Sequence, residues 1–147
     1  MDRLHIRPAV PEERLELEEL QRRASLALDE YRDRLEANPD AIDLPADQIE
    51  RGQVMVAELD GRIAGFAVVL SEEGKAELDG LFVEPELWRR GVGTELVEAA
   101  VHEARRRGLS LLTVVASPTA KVFYERCGFT VEGAAETRFG PALKMSR

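Results

Sequence analysis

The sequence predicts an α/β fold in a single domain spanning residues 1–147, and three stretches carry that expectation. Val54 to Leu59 and Arg62 to Leu70 are apolar runs joined by Asp60-Gly61, a pair suited to a two-residue type I′ turn, so they read as a β-hairpin. Leu78 to Leu96 passes from an apolar strand through a short basic glycine turn into the start of a helix. Leu111 to Phe129 repeats the alternation, with a strand, a short helix, a glycine stop and a new strand. A chain of this length with 44% hydrophobic residues can bury one core and has no room for two typical domains.

Taken in order, Leu4 to Ala9 reads as a first strand. Pro11-Glu12-Glu13 opens a helix, with proline in the first turn and acids at the positive end. Leu17, Leu20, Ala24, Leu28, Tyr31 and Leu35 follow at helical spacing until Asn38-Pro39, a pattern that fits one long helix or two bent near Ala24-Ser25. After the hairpin, Glu77 to Val83 is the next strand. A helix from about Thr94 to Arg107 should bury Leu96, Val97, Ala100, Val101 and Ala104. It ends in Arg105-Arg106-Arg107-Gly108, cations and a glycine that act as stop signals rather than as a nucleic-acid patch. Phe139 to Met145 supplies a last strand, either internal or exchanged with a partner.

The glycine turn is chemically the richest segment. Gly91 and Gly93 let the backbone come close to an anion, and the helix opening at about Thr94 aims free N–H groups at it. Arg89 and Arg90 add full positive charges. Gly-x-Gly alone fits an ordinary strand-to-helix turn equally well, and two better-known phosphate motifs fail: a dinucleotide fingerprint needs glycine where Leu96 stands, and a P-loop needs a lysine after its glycine.

The segment Ser117-Pro118-Thr119-Ala120-Lys121-Val122-Phe123-Tyr124-Glu125-Arg126-Cys127-Gly128-Phe129 gives the turn its meaning. Together the two segments resemble the GNAT N-acetyltransferase superfamily, whose signatures are Gln/Arg-x-x-Gly-x-Gly/Ala and Asn-x-x-Ala-x-x-Phe/Leu-Tyr-Glu-x-x-Gly-Phe. The resemblance covers residues 54 to 131 well and the rest loosely. Two positions depart from it: Trp88 replaces the Gln/Arg and Ser117 replaces the Asn.

The resemblance implies a GNAT fold, a mixed and mostly antiparallel splayed sheet flanked by helices on both faces, with acetyl-CoA as co-substrate. It places the main chain of Leu81, Phe82 and Val83 along the pantetheine arm, with an N–H near Val83 facing the thioester oxygen. Arg89, Arg90, Gly91, Val92, Gly93 and Thr94 would hold the pyrophosphate, and Ser117 would contact pantetheine. Tyr124 stands at the position of the family's general acid; its alternative is a core aromatic beside Phe123 and Phe129. Glu77 aligns with the catalytic glutamate of the histone-acetylating branch. Asp79, two residues on, shares its strand face, and both carboxylates could equally be a solvated strand edge. The branch that acetylates ribosomal-protein N-termini carries a glutamate where this chain has Leu112, which argues against it.

The expected reaction is acetyl transfer to a primary amine, of a small molecule or a peptide, by direct attack. The alternatives are a protein-lysine acetyltransferase and a non-catalytic acyl-CoA-binding module with a regulatory partner. A net charge of −8 argues against a nucleic-acid partner. No apolar run approaches a membrane span, and the first residues lack a signal-peptide core, so a cytoplasmic protein without membrane association is expected. One cysteine, Cys127, and the distant histidines His5 and His102 predict no disulfide and no metal. The resemblance leaves a homodimer open.

Overall fold

The computed structural model describes residues 3–147, and the side chains of all of these except 29–31. Its strands are β1 (Leu4–Pro8), β2 (Val54–Leu59), β3 (Arg62–Glu72), β4 (Lys75–Val83), β5 (Leu112–Ala116), β6 (Thr130–Thr137) and β7 (Gly140–Ser146). Its helices are α1 (Arg14–Leu26), α2 (Asp29–Ala37), α3 (Ala46–Glu50), α4 (Val92–Arg106) and α5 (Lys121–Arg126). The strands form one sheet in the order β1-β2-β3-β4-β5-β7-β6. Pairing is antiparallel for β1/β2, β2/β3, β5/β7 and β6/β7. It is parallel for β4/β5, whose pairs are Ala76↔Leu112 and Glu77↔Thr113, and β4 runs on from there to Val83. The parallel pair requires the long crossover that α4 supplies. This is the mixed, mostly antiparallel sheet with helices that the sequence predicts.

Local chemistry explains the hairpins. Asp60 and Gly61 sit at φ 53° and 83°, the two positive values of a type I′ turn. Glu73 and Gly74, at 50° and 77°, make a second such turn between β3 and β4 that the sequence reading passed over. It starts β4 at Lys75, two residues before the expected Glu77.

By contact density the chain divides into two compact units, Met1–Val68 with Gly80–Leu96, and Val69–Asp79 with Val97–Arg147. In the first, Leu17, Leu20 and Ala24 of α1 are buried, as are Leu35, Leu44, Val54, Val56, Phe66, Val92 and Leu96. The helical run is two helices, and the break lies at Ala27-Leu28 rather than Ala24-Ser25. Leu28 is extended (ψ 114°), and the Arg32 guanidinium donates to the orphaned Leu26 carbonyl at 2.9 Å. Leu28 is half-buried. The expected core position Tyr31 lies outside the described side chains. The short helix α3 had no counterpart in the sequence reading. Arg7 ties β1 to its surroundings, donating to Glu13 at 2.6 and 2.9 Å and to Glu58 at 2.5 Å. These bonds from Arg7 hold the Glu13 carboxyl below its ordinary range.

In the second unit the expected face of α4 is buried at Val97, Ala100, Val101 and Ala104. Arg106 and Arg107 both donate to Glu103, and Arg107 also donates to the Val69 carbonyl at 3.1 Å. Gly108 follows at φ 78°, so the basic triplet ends a helix as expected. Strand β7 is internal, paired on one side with β5 and on the other with β6. Arg147 donates to Glu98 at 2.5 Å and to the Cys127 carbonyl at 2.8 Å, joining α4 to the end of α5.

Gly65 of β3 is required for a close approach within the first unit. A Cβ there would lie 2.6 Å from the Phe82 carbonyl oxygen and 3.2 Å from the Val83 Cα. Both are backbone atoms, which cannot step aside as a flexible side chain would. Gly65→Ala should therefore destabilise the protein by about 1–3 kcal/mol, the usual cost of overpacking, read as a lower urea midpoint at unchanged slope. A midpoint equal to wild type would mean that β4 shifts freely at Phe82.

Candidate active site

In the first unit the site is the turn from β4 into α4. After Val83 the chain makes a 3-10 turn at Pro85–Leu87 and reaches α4 at Val92, two residues earlier than Thr94. Arg89 (φ 67°) and Gly91 (φ 84°) both take the left-handed conformation, which glycine adopts freely and arginine only under strain. Glu95 N–H donates to the Gly91 carbonyl at 3.0 Å, the first bond of the helical ladder. The main-chain N–H groups of Val92, Gly93 and Thr94 precede it and have no partner within the helix. The space over Gly91 is open, with nothing within 4 Å of where a Cβ would stand. Arg89 and Arg90 are exposed, and neither is paired with an acid among the described residues. Open backbone donors, the positive end of a 15-residue helix and two free guanidinium groups suit a phosphate-bearing ligand.

The end of β4 is held from several directions. Glu84 N–H donates to the Ala64 carbonyl of β3 at 2.8 Å. Main-chain groups alternate sides along a strand, so those of Val83, one residue earlier, point away from β3. The Val83 carbonyl accepts from the Trp88 indole at 2.8 Å. The Glu84 carboxylate takes two bonds from Arg23 of α1, at 3.0 and 2.8 Å. Leu81, Phe82 and Val83 are half-buried, and the Phe82 ring lies 5.2 Å from that of Phe66. The parts played by Trp88, Arg23 and Glu84 escaped the sequence reading. The only signal was Trp88 itself, standing where the motif has a different donor.

In the second unit, Ala76 and Leu78 of β4 are buried, and Glu77 and Asp79 share the opposite face. Desolvation raises the Glu77 carboxyl, with Asp79 and then Glu72 adding repulsion. Asp79 keeps an exposed surface, yet the surrounding protein raises its carboxyl too. Tyr124 of α5 is 8% exposed, its ring edge-on to Phe123 and Phe129 at 5.1 and 5.3 Å. Among the described residues its hydroxyl has no hydrogen-bond partner and no fully buried side-chain oxygen lacks one, so the hydroxyl reaches solvent. Burial of the ring pushes the phenol pKa up, with a smaller push from Cys127. The residue is thus at once a core aromatic and a polar tip. The Ser117 hydroxyl accepts from Ala120 N–H at 3.3 Å, capping the turn before α5 and leaving its hydrogen to donate. Cys127 is buried and forms no disulfide.

The first unit also contains an open cleft of about 750 Å³, lined by carboxylates such as Glu16, Glu58 and Glu86 together with Arg7, Arg62 and Arg90. Of the predicted site residues only Arg90 borders it. Among the described residues there is no metal-binding cluster, and no helix is long and apolar enough to cross a membrane.

Comparison with known proteins bears on the family and the fold. The sequence profile of the Acetyltransferase (GNAT) family matches residues 15–129. The chain is 37% identical over 83 residues to the uncharacterized N-acetyltransferase YafP of Escherichia coli, covering 56% of this chain and 49% of that protein. It is 29% identical over 140 residues to the 5-NmdU N-acetyltransferase of Pseudomonas phage PaMx11, covering 94% and 95%. The fold is similar to that of the PaiA N-acetyltransferase of Thermoplasma acidophilum, solved with coenzyme A, at TM-score 0.80 and 22% identity over 99% and 98% of the two chains. The chain spans about half the length of YafP and matches the phage protein almost end to end.

The raised carboxyls have a consequence for stability. Below the ordinary carboxyl range, about pH 4, both folded and unfolded chains hold these protons and the groups are neutral to folding. As pH rises the unfolded chain ionises first, so stability falls through the window between the ordinary carboxyl value and the raised folded ones. Glu77→Gln and Asp79→Asn should each raise Tm at pH 7 and lose that advantage near pH 3, measured by calorimetry. A lower Tm for both at pH 7 would show that favourable contacts, not desolvation, govern the pair.

Proposed function

The chain belongs to the acetyltransferase (GNAT) family, and on that premise we propose that it transfers acetyl from acetyl-CoA to a primary amine by direct attack, without a covalent enzyme intermediate. The observation that carries the reading is the turn from β4 into α4, where two left-handed residues present the first N–H groups of a long helix beside Arg89 and Arg90. Acetyl-CoA brings the activated thioester, and the protein's task is to bind, orient and move protons.

Each residue then has a role. Main-chain N–H groups from Gly91 to Thr94 hold the pyrophosphate, with Arg89 and Arg90 adding charge. The main chain of Leu81 to Val83 aligns the pantetheine arm, and the Ser117 hydroxyl donates to it. The Val83 N–H, on the side of β4 away from β3, stabilises negative charge developing on the thioester oxygen. Glu77 takes the proton from the acceptor ammonium with Asp79 as second carboxylate, and desolvation suits both to the task by bringing them nearer neutrality. Tyr124 serves the leaving thiolate. Its raised pKa makes outright proton release to a thiolate of pKa about 8.5 uphill, so its contribution is a strong hydrogen bond, with the proton following as solvent resupplies it. One relative's name supports an amino-acid-like amine over a protein lysine: an amino-acid acetyltransferase from Pseudomonas putida, 39% identical over 64% of this chain and 21% of its own length. A homodimer and a cytoplasmic setting accord with this reading without being required by it.

Thermal-shift titration tests the cofactor. Acetyl-CoA and CoA should stabilise the protein and ATP should do so far less. Gly91→Asp, which sets a negative charge where phosphate must lie, should abolish the shift. Equal stabilisation by ATP, or an undiminished shift in the variant, would overturn the assignment.

Tyr124→Phe keeps both edge-on ring contacts and removes only the hydroxyl. Affinity for acetyl-CoA should hold while turnover, followed as CoA release against an amine panel, falls by roughly 10² to 10⁴. Turnover equal to wild type where chemistry limits the rate would leave Tyr124 as a packing residue.

A further inference from the structure

We propose that Trp88 is a positioning residue for acetyl transfer, its indole N–H holding the Val83 carbonyl and thereby aiming the Val83 N–H at the thioester oxygen. The inference rests on the reading of Val83 given above and assigns work to a residue that departs from the family motif. Trp88 is 39% exposed, so filling a core is not its purpose. Its polar atom is placed instead, 2.8 Å from the Val83 carbonyl oxygen.

The two peptide groups flanking the Val83 Cα are both held. The peptide that carries the Val83 N–H also carries the Phe82 carbonyl, which lies against Gly65 closely enough to leave no room for a Cβ. The next peptide is held at both ends, its carbonyl by Trp88 and its N–H by the Ala64 carbonyl at 2.8 Å. Arg23 adds a fourth restraint through its two bonds to the Glu84 side chain. Without the indole, the carbonyl end of this group would be released, and rotation about the Val83 backbone would redirect its N–H. A donor meant for a developing oxyanion has to be oriented before the reaction begins.

The test uses infrared difference spectroscopy of acetyl-CoA labelled with ¹³C at the carbonyl, which needs no knowledge of the acceptor. Bound to wild type, the thioester stretch should fall below that of free acetyl-CoA, because a hydrogen bond weakens the C=O bond. Trp88→Phe keeps an aromatic ring and loses the donor. At saturation its stretch should return about halfway or more toward the free value while affinity changes by less than about threefold, since the indole bonds the Val83 carbonyl and none of the N–H groups assigned to the pyrophosphate. Trp88→Gln places an amide nitrogen the same number of bonds from Cβ as the indole nitrogen and should restore the wild-type stretch. A Phe variant with the wild-type stretch, or a Gln variant that loses it as fully as Phe, would overturn the role of Trp88 alone. An unshifted stretch in wild type would instead sink the assignment of Val83, and this inference with it.

Discussion

The candidate site depends on one backbone constraint: β4 has to stop and α4 has to start with its N-terminal N–H groups open. Arg89 and Gly91 meet it by taking positive φ. For glycine this is nearly free, whereas for arginine it costs about 1–2 kcal/mol. Strain of this kind persists only where the surroundings over-determine the backbone. Here they do, since the residues before the turn are fixed through the Glu84 N–H, the Val83 carbonyl and the Glu84 carboxylate, and Val92 just after it is buried. The turn is thus held on both sides, and none of the bonds that hold it uses the N–H groups of Val92, Gly93 and Thr94.

The second unit spends stability on polar groups. Glu77 and Asp79 stand two apart on one strand face with both carboxyls raised, and among the described residues neither is paired with a cation. A sheet optimised only to fold would place an opposite charge or a β-branched residue there. Some acids elsewhere are paired with arginines: Glu13 and Glu58 with Arg7, Glu84 with Arg23, Glu103 with Arg106 and Arg107, Glu98 with Arg147. Tyr124 shows the same tension within one side chain, a buried ring ending in a hydroxyl with no hydrogen-bond partner among the described residues.

Charge needs the same local accounting. The sum of −8 says little about the site, because ion pairs consume many of the charges. Among the described residues Arg89 and Arg90 pair with no acid, while Arg106 and Arg107 at the end of α4 are drawn to Glu103. An acidic protein can therefore keep a positive mouth at one turn.

What the sequence determined by itself was whatever rests on short-range rules. Asp60-Gly61 has to turn where it does because few other pairs tolerate two positive φ values. Gly91 and Gly128 mark ends that only their backbone freedom permits, and the apolar face of α4 follows from helical period alone. The two motif segments were legible for the same reason, since each is a contiguous run whose chemistry lies in its own backbone. Only the tertiary structure decided the rest. The break at Leu28 depends on Arg32 reaching back to Leu26, and β7 became internal because β5 and β6 both pair with it. The indole of Trp88 lies on Val83, and Arg23 lies on Glu84 from 61 residues away in the chain. The Arg23–Glu84 partnership is set by where the fold brings distant residues, and the shorter-range bonds of Trp88 and Arg32 by how the chain bends between them, neither of which periodicity or local propensity encodes.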